Sequence, residues 1–160
     1  KIVKKNPLIL LYSVDNNLRP KLIDYFIMKL CMSPVDVQRI LLAYPAIMNY
    51  RLEEHIMPIT RYFVADLEFS PMEFRNILLK FPRIMTYSLR KIKHVVGYLR
   101  FELGMNAVQV KRVLFQAPQA IGFNTDINLK SKINFLRNTF HLNEEELRTV
   151  VAGKANPIFF

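Results

Sequence analysis

Polar and apolar residues follow one another along the chain in a pattern that predicts alternating long and short helices. Each predicted short helix is preceded by a serine or asparagine, and an acid or amide stands three residues later. The four pairs are Ser33 and Asp36, Ser70 and Glu73, Asn106 and Gln109, and Asn143 and Glu146. This spacing is typical of the capping box, in which cap and third residue each accept a hydrogen bond from the other's backbone N–H.

Prolines end these short helices at a regular interval. They stand at positions 7, 45, 82, 118 and 157, in the segments NPLIL, YPAIM, FPRIM, APQAI and NPIFF, with spacings of 38, 37, 36 and 39 residues. Because proline disfavours a helical conformation in the residue before it, each helix should stop there. We expect a turn of one or two residues beyond each proline, of the 3₁₀ type.

A longer helix is predicted between each proline and the next cap, beginning near Ser13, Arg51, Ser88 and Asn124. Two apolar columns at helical spacing predict its buried face. They are Leu30, Leu67, Leu103 and Phe140, and, four residues earlier, Phe26, Phe63, Leu99 and Leu136. A neighbouring aromatic column packs in the core or stacks on nucleic-acid bases: Tyr25, Tyr62, Tyr98 and Phe135. A second aromatic set, which predicts a staple closing the turn, is Tyr12, Tyr50, Tyr87 and Phe123.

A period of 20 to 50 residues is the signature of stacked supersecondary units. The sequence therefore predicts an all-α solenoid, a right- or left-handed superhelix of two-helix repeats that each end in a short proline-started 3₁₀ turn. We expect one array over residues 1–160: a partial repeat 1–6, repeats at about 7–44, 45–81, 82–117 and 118–156, and a partial repeat 157–160. The open repeats at both ends predict a segment of a longer protein that is monomeric or self-associates weakly through those ends.

Composition argues against an enzyme and against a membrane protein. No apolar stretch reaches the roughly 18–20 residues that a membrane-spanning helix needs. The single cysteine cannot form an internal disulfide, and three histidines lie far apart without acids or thiols at ligand spacing. We find no glycine-rich phosphate loop and no nucleophile motif. The sequence therefore predicts no catalytic residue, no metal site and no cofactor.

The formal charge of +10 indicates an anionic partner, and it is concentrated in one repeat. Residues 82–117 hold seven basic residues against the single acid Glu102. The fifth position after each short-helix cap is Gln38, Arg75, Lys111 or Arg148, and we expect it to reach solvent. Candidate nucleic-acid-binding residues are Arg39, Arg75, Lys80, Arg83, Arg90, Lys91, Lys93, Arg100, Lys111, Arg112 and Arg148. The alternative is that these cations only solvate the exposed face of a solenoid.

The repeat, with its cap, its third-position acid and an I/V-L-x-x-x-P segment followed by apolar residues, resembles that of the mitochondrial transcription termination factor (mTERF) family. The resemblance implies an organellar protein of mitochondrion or chloroplast whose superhelix binds double-stranded DNA or RNA and regulates transcription, its termination or other steps of organellar gene expression. The net negative second repeat departs from a uniformly basic groove. HEAT-like repeats have a similar length, so the alternative is a protein-binding scaffold that docks an acidic partner or a ribosome-assembly factor.

Overall fold

The computed structural model describes residues 2–153, and every regular element among them is helical. This confirms the predicted all-α class. The last predicted turn, at Pro157, lies outside the described residues.

The short helices begin at the predicted caps. The chain enters through Ile2–Lys5, and the four capped helices are Pro34–Ala43, Pro71–Lys80, Ala107–Gln116 and Glu144–Val151. All four capping boxes are formed. In the first, the Asp36 N–H donates to Ser33 Oγ at 3.1 Å and the Ser33 N–H donates to Asp36 Oδ2 at 3.0 Å. The sequence spacing therefore fixed the start of each short helix, because the reciprocal bonds satisfy N–H groups that have no acceptor within the helix.

The first three capped helices, like Ile2–Lys5, end one residue before their proline, and a five-residue 3₁₀ helix follows each of them. These turns are Pro7–Leu11, Pro45–Asn49, Pro82–Thr86 and Pro118–Gly122. The fourth capped helix ends earlier, at Val151. The sequence predicted only one or two residues beyond the proline, which was too short. Ile47 and Met48 in the second turn are completely buried, as are Ile84 and Met85 in the third.

The long helices begin after the predicted residues, and three of the four caps accept a hydrogen bond through their side chains. Arg51 provides no such bond, because its side chain carries only hydrogen-bond donors. Several turns of the long helices are π-helical, because the backbone N–H of residue i+5 donates to the carbonyl of residue i. The consecutive segments are Val14–Leu18 and Pro20–Lys29; Leu52–Ile56, Met57–Arg61 and Tyr62–Asp66; Leu89–Gly97 and Tyr98–Glu102; and Thr125–Leu129 and Lys130–Phe140.

Every long helix ends at a residue with left-handed backbone geometry, two positions before the next cap. These residues are Cys31, Glu68, Gly104 and His141, with φ of +51°, +56°, +62° and +51°. The left-handed residue reverses the chain so that the short helix can pack back on the long one. The sequence did not predict these left-handed residues, because only one of the four is the glycine that usually occupies such a position.

The chain divides into two compact units, with the boundary between Thr86 and Tyr87. The boundary lies after the third 3₁₀ turn. Each turn packs on the short helix that precedes it. In the first unit, Phe63 packs at 5.5 Å from Phe69 and 5.0 Å from Phe74, between ring centroids.

The predicted apolar columns are buried in the first three long helices and not in the fourth. Phe140 is 62% exposed, so the prediction of burial was wrong there. Phe135, in the aromatic column, is 63% exposed, which contradicts core packing, and stacking on nucleic-acid bases stays a prediction for this residue. In the aromatic column Tyr25 and Tyr98 are buried, which confirms core packing for both. Burial raises the pKa of Tyr25 to about 12.

Two glycines should respond in opposite directions to replacement by alanine. At Gly104, with φ of +62°, the added Cβ would lie 3.0 Å from an Arg148 nitrogen, so Gly104→Ala should lower the free energy of unfolding by about 1–2 kcal/mol. Gly97 is helical, and its Cβ would meet only Phe101 at 3.9 Å, so Gly97→Ala should raise it by about 0.5–1 kcal/mol. Urea denaturation measures both changes in the free energy of unfolding. Changes of the same sign would contradict the left-handed geometry of Gly104 or the helical geometry of Gly97.

Candidate nucleic-acid interface

The eleven predicted binding residues differ in how far they reach into solvent. Seven are exposed: Arg39, Lys80, Arg83, Arg90, Lys93, Arg100 and Arg112. Four are half-buried: Arg75, Lys91, Lys111 and Arg148. The half-buried group includes all three cations of the column five residues after the caps, so the expectation that this column reaches solvent was wrong except at Gln38. The contacts of this column show why.

Arg75 is bound to the preceding short helix. Its guanidinium pairs with the Asp36 carboxylate at 2.5 Å, and only 10% of the Asp36 side chain is exposed. Asp36 also accepts the hydrogen bond of the Ser33 hydroxyl at 2.7 Å. The Ser33 bond, with a further contribution from Arg75, lowers the pKa of Asp36 below its ordinary value. Arg75 therefore ties two successive short helices together inside the first unit.

Arg148 has the equivalent role in the second unit, with a different acceptor. The residue corresponding to Asp36 is Gln109, which carries no charge. The Arg148 guanidinium instead donates to the Leu103 carbonyl, at 3.4 Å, near the end of the preceding long helix. Such carbonyls have no donor within their own helix, and a cation at this end also complements the helix dipole. Arg148 thus contributes to the packing of one repeat on the next.

Lys91 takes part in a contact that recurs in both units. Its ammonium lies 4.8 Å from the centre of the Tyr87 ring and donates to the carbonyl of Gly122, at the end of a 3₁₀ turn, at 3.1 Å. In the first unit Lys21 lies over Tyr12 and donates to the Met48 carbonyl at 2.9 Å.

His55 makes the third example of this contact. It stacks on Tyr50 with 4.4 Å between ring centres, and its Nε2 donates to the Met85 carbonyl at 2.9 Å. We call this arrangement the turn bracket: a side chain of one long helix, held against the aromatic residue before that helix, binds a carbonyl of the following turn. The aromatic set predicted as a staple thus supports these side chains.

Five arginines are exposed and make no hydrogen bond or ion pair to another described residue. They are Arg39 and Arg61 in the first unit and Arg90, Arg100 and Arg112 in the second. The one acid between residues 87 and 123, Glu102, accepts from Lys130 at 3.1 Å, and Lys130 also pairs with Asp126 at 3.0 Å. Asp126, and to a lesser degree Glu102, raise the pKa of Lys130. Glu102 thus has a partner from outside this segment, and the basic residues of the segment outnumber its single acid.

Two further features are absent from the part of the chain that the structure describes. No group of three or more histidine, cysteine, aspartate or glutamate side chains could hold a metal ion there. None of the described helices is both long enough and apolar enough to cross a membrane.

No protein-family model matches the chain, and no curated protein is significantly similar to it. The resemblance of the repeat to a known family therefore rests on the repeat pattern itself.

The Asp36 cluster should make stability depend on pH. The pKa of Asp36 is lower in the folded chain, so its contribution is complete above the ordinary aspartate value of about 3.9 and is lost as the pH falls through the lowered pKa. Asp36→Asn should therefore cost on the order of 1 kcal/mol at pH 7, and this cost should shrink as the pH falls below the ordinary aspartate value. Denaturant titrations across this range measure the difference; a constant difference would show that the charge is irrelevant.

Proposed function

We propose that this chain is a non-catalytic nucleic-acid-binding helical-repeat protein whose second unit contacts the phosphate backbone. One observation carries the proposal: Arg90, Arg100 and Arg112 are exposed without an acidic partner in a segment whose only acid is paired with Lys130. Arginine suits this role because its planar guanidinium stays charged and binds phosphate oxygens with two parallel hydrogen bonds.

The binding surface differs from the regular row that the sequence suggested. Arg75 and Arg148 are occupied within their own units, so they position neighbouring helices and are poor candidates for phosphate contacts. The residues next to the column are better placed: Arg39 and Arg112, six positions after their caps, are both exposed. Backbone contacts of this kind give affinity and register without reading the base sequence.

The repeat pattern supports a proposal for the arrangement of the repeats, the ligand and the cellular role. We infer that the repeats stack into a superhelix, as the resemblance to the mitochondrial transcription termination factor family implies. The same resemblance supports double-stranded DNA or RNA as the ligand and a role in transcription or its termination in mitochondria or chloroplasts.

A protein-binding scaffold is the second candidate, and an apolar surface of the first unit favours it. Leu10 is 72% exposed on the first turn, although Met48, Met85 and Ile121 at the corresponding position of later turns are buried. The neighbouring Leu11 is 79% exposed. Under this hypothesis the chain co-purifies with a protein after nuclease treatment and does not bind naked duplex. Under the nucleic-acid hypothesis, nuclease releases whatever co-purifies with the chain.

A salt series tests the nucleic-acid proposal. The logarithm of the association constant for a duplex should fall linearly with the logarithm of the salt concentration. The expected slope is about −0.9 for each phosphate contact. Replacing Arg90, Arg100 and Arg112 together by glutamine should make the slope shallower by about 2–3 and weaken binding to unrelated sequences equally. Fluorescence anisotropy with duplex DNA, single-stranded DNA and RNA at several salt concentrations gives the slopes.

Arg61→Gln is the matched control. This residue is exposed and lies in the first unit, and it makes no hydrogen bond or ion pair to another described residue. Arg61→Gln removes one positive charge, so its affinity for the duplex is compared with that of the single variant Arg112→Gln. An equal loss of affinity in both would point to net charge and not to the proposed surface, and an unchanged slope in the triple variant would exclude that surface.

A further inference from the structure

A cleft in the second unit has the features of a binding site for a single phosphate group. It has a volume of about 550 Å³ and lies at the beginnings of the third and fourth long helices. Its lining comprises Ser88, Arg90, Lys91, His94, Phe123, Asn124, Thr125 and Asp126. Both helix caps, Ser88 and Asn124, are therefore part of the wall.

The backbone of this cleft favours an anion. The first N–H groups of a helix have no acceptor within it, and together with the helix dipole they give the N-terminus a partial positive charge. The side chain of Ser88 accepts only the N–H of Lys91, and that of Asn124 accepts those of Asp126 and Ile127. The caps thus leave the N–H groups of the first residues, Leu89 and Thr125, for a ligand.

A threonine side chain in the wall of the cleft gives an independent indication of a ligand. Thr125 is only 4% exposed, and its side chain makes no hydrogen bond to another described residue. Among the described residues, the fully enclosed side-chain N and O atoms without a partner are Arg75 Nε and Arg137 Nε, so the Thr125 hydroxyl keeps access to the cleft. It can therefore donate a hydrogen bond to a phosphate oxygen bound there.

The charged side chains around the cleft complete the site. Arg90 has no partner among the described residues, and Lys91 adds a second positive charge even though its ammonium also binds the Gly122 carbonyl. The one acid in the lining, Asp126, is paired with Lys130 at 3.0 Å. The net field of the lining is therefore positive.

The first unit contains an equivalent cleft without net charge, because Glu53 and Glu54 in its lining balance Lys21 and Arg51. That cleft, of about 310 Å³, also lies where two successive long helices begin, and Glu53 and Glu54 belong to its lining. Arg51 in the same wall is paired with Glu54 at 2.8 Å. The protein thus provides its own comparison, since one helix-start cleft has a carboxylate-rich first turn and the other has Arg90 and Lys91.

We propose that the cleft of the second unit binds one phosphate group, by the first-turn N–H groups, the Thr125 hydroxyl and Arg90. The inference rests on the proposed function in one respect: the natural source of this phosphate is the nucleic-acid backbone. The site itself requires only a phosphate group. A free phosphate ester is the other source of the same chemistry.

Nuclear magnetic resonance with the whole chain tests the site directly. Inorganic phosphate is titrated at constant ionic strength against chloride, and the backbone amide signals are followed. We expect saturable shifts at Leu89, Arg90 and Thr125 and none at Leu52 and Glu53. Arg90→Gln and Thr125→Val should each weaken phosphate binding about tenfold, the effect of losing one hydrogen bond to a charged group. Thr125→Ser should retain binding, and Glu53→Gln is the matched control.

Each outcome decides one of the two proposals. Shifts that do not saturate, that occur equally in both clefts, or that persist in Arg90→Gln and Thr125→Val would overturn the phosphate site. A duplex added in a second arm should displace phosphate from the cleft. If phosphate binds but the duplex does not, the cleft holds a free phosphate ester and the proposed function fails. If the duplex binds and phosphate gives no saturable shift, the proposed function stands and the cleft is excluded.

Discussion

The turn bracket is the interaction on which the rest of the structure depends. The turns Pro45–Asn49, Pro82–Thr86 and Pro118–Gly122 carry buried apolar side chains, and a carbonyl withdrawn from water requires a donor. A side chain of the preceding long helix supplies one: Lys21 to Met48, His55 to Met85 and Lys91 to Gly122. The aromatic residue before that helix restricts each donor. The turn bracket connects one repeat to the next within each unit. Because the acceptor is a backbone carbonyl, any side chain with an N–H donor can bind it, so lysine and histidine both occur.

This requirement also divides the basic residues into two groups. Cations that satisfy carbonyls or carboxylates within the fold, such as Arg75 and Arg148, hold adjacent elements together. Cations that lie beside them on the helix surface, such as Arg39 and Arg112, have no described partner. Net charge alone cannot distinguish these groups, because all of them contribute equally to the total of +10. The account of phosphate binding therefore depends on contacts and not on composition.

Much of the local structure could be predicted from the sequence, because its causes are local. Cap residues and prolines act within a few positions, so the starts of the short helices and the ends of the first three followed directly. Features that depend on distant partners did not follow. The burial of Arg75 depends on a carboxylate 39 residues earlier. The cleft at Thr125 likewise depends on the approach of two helix starts.

One measurement tests the division of the arginines most directly: a spectrum that resolves the guanidinium Nε–H signals, recorded during a titration with duplex DNA. The account predicts shifts and broadening for Arg90, Arg100 and Arg112, whose side chains are exposed, and unchanged signals for Arg75 and Arg148. Shifts at Arg75 and Arg148 with unchanged signals at the exposed arginines would contradict it.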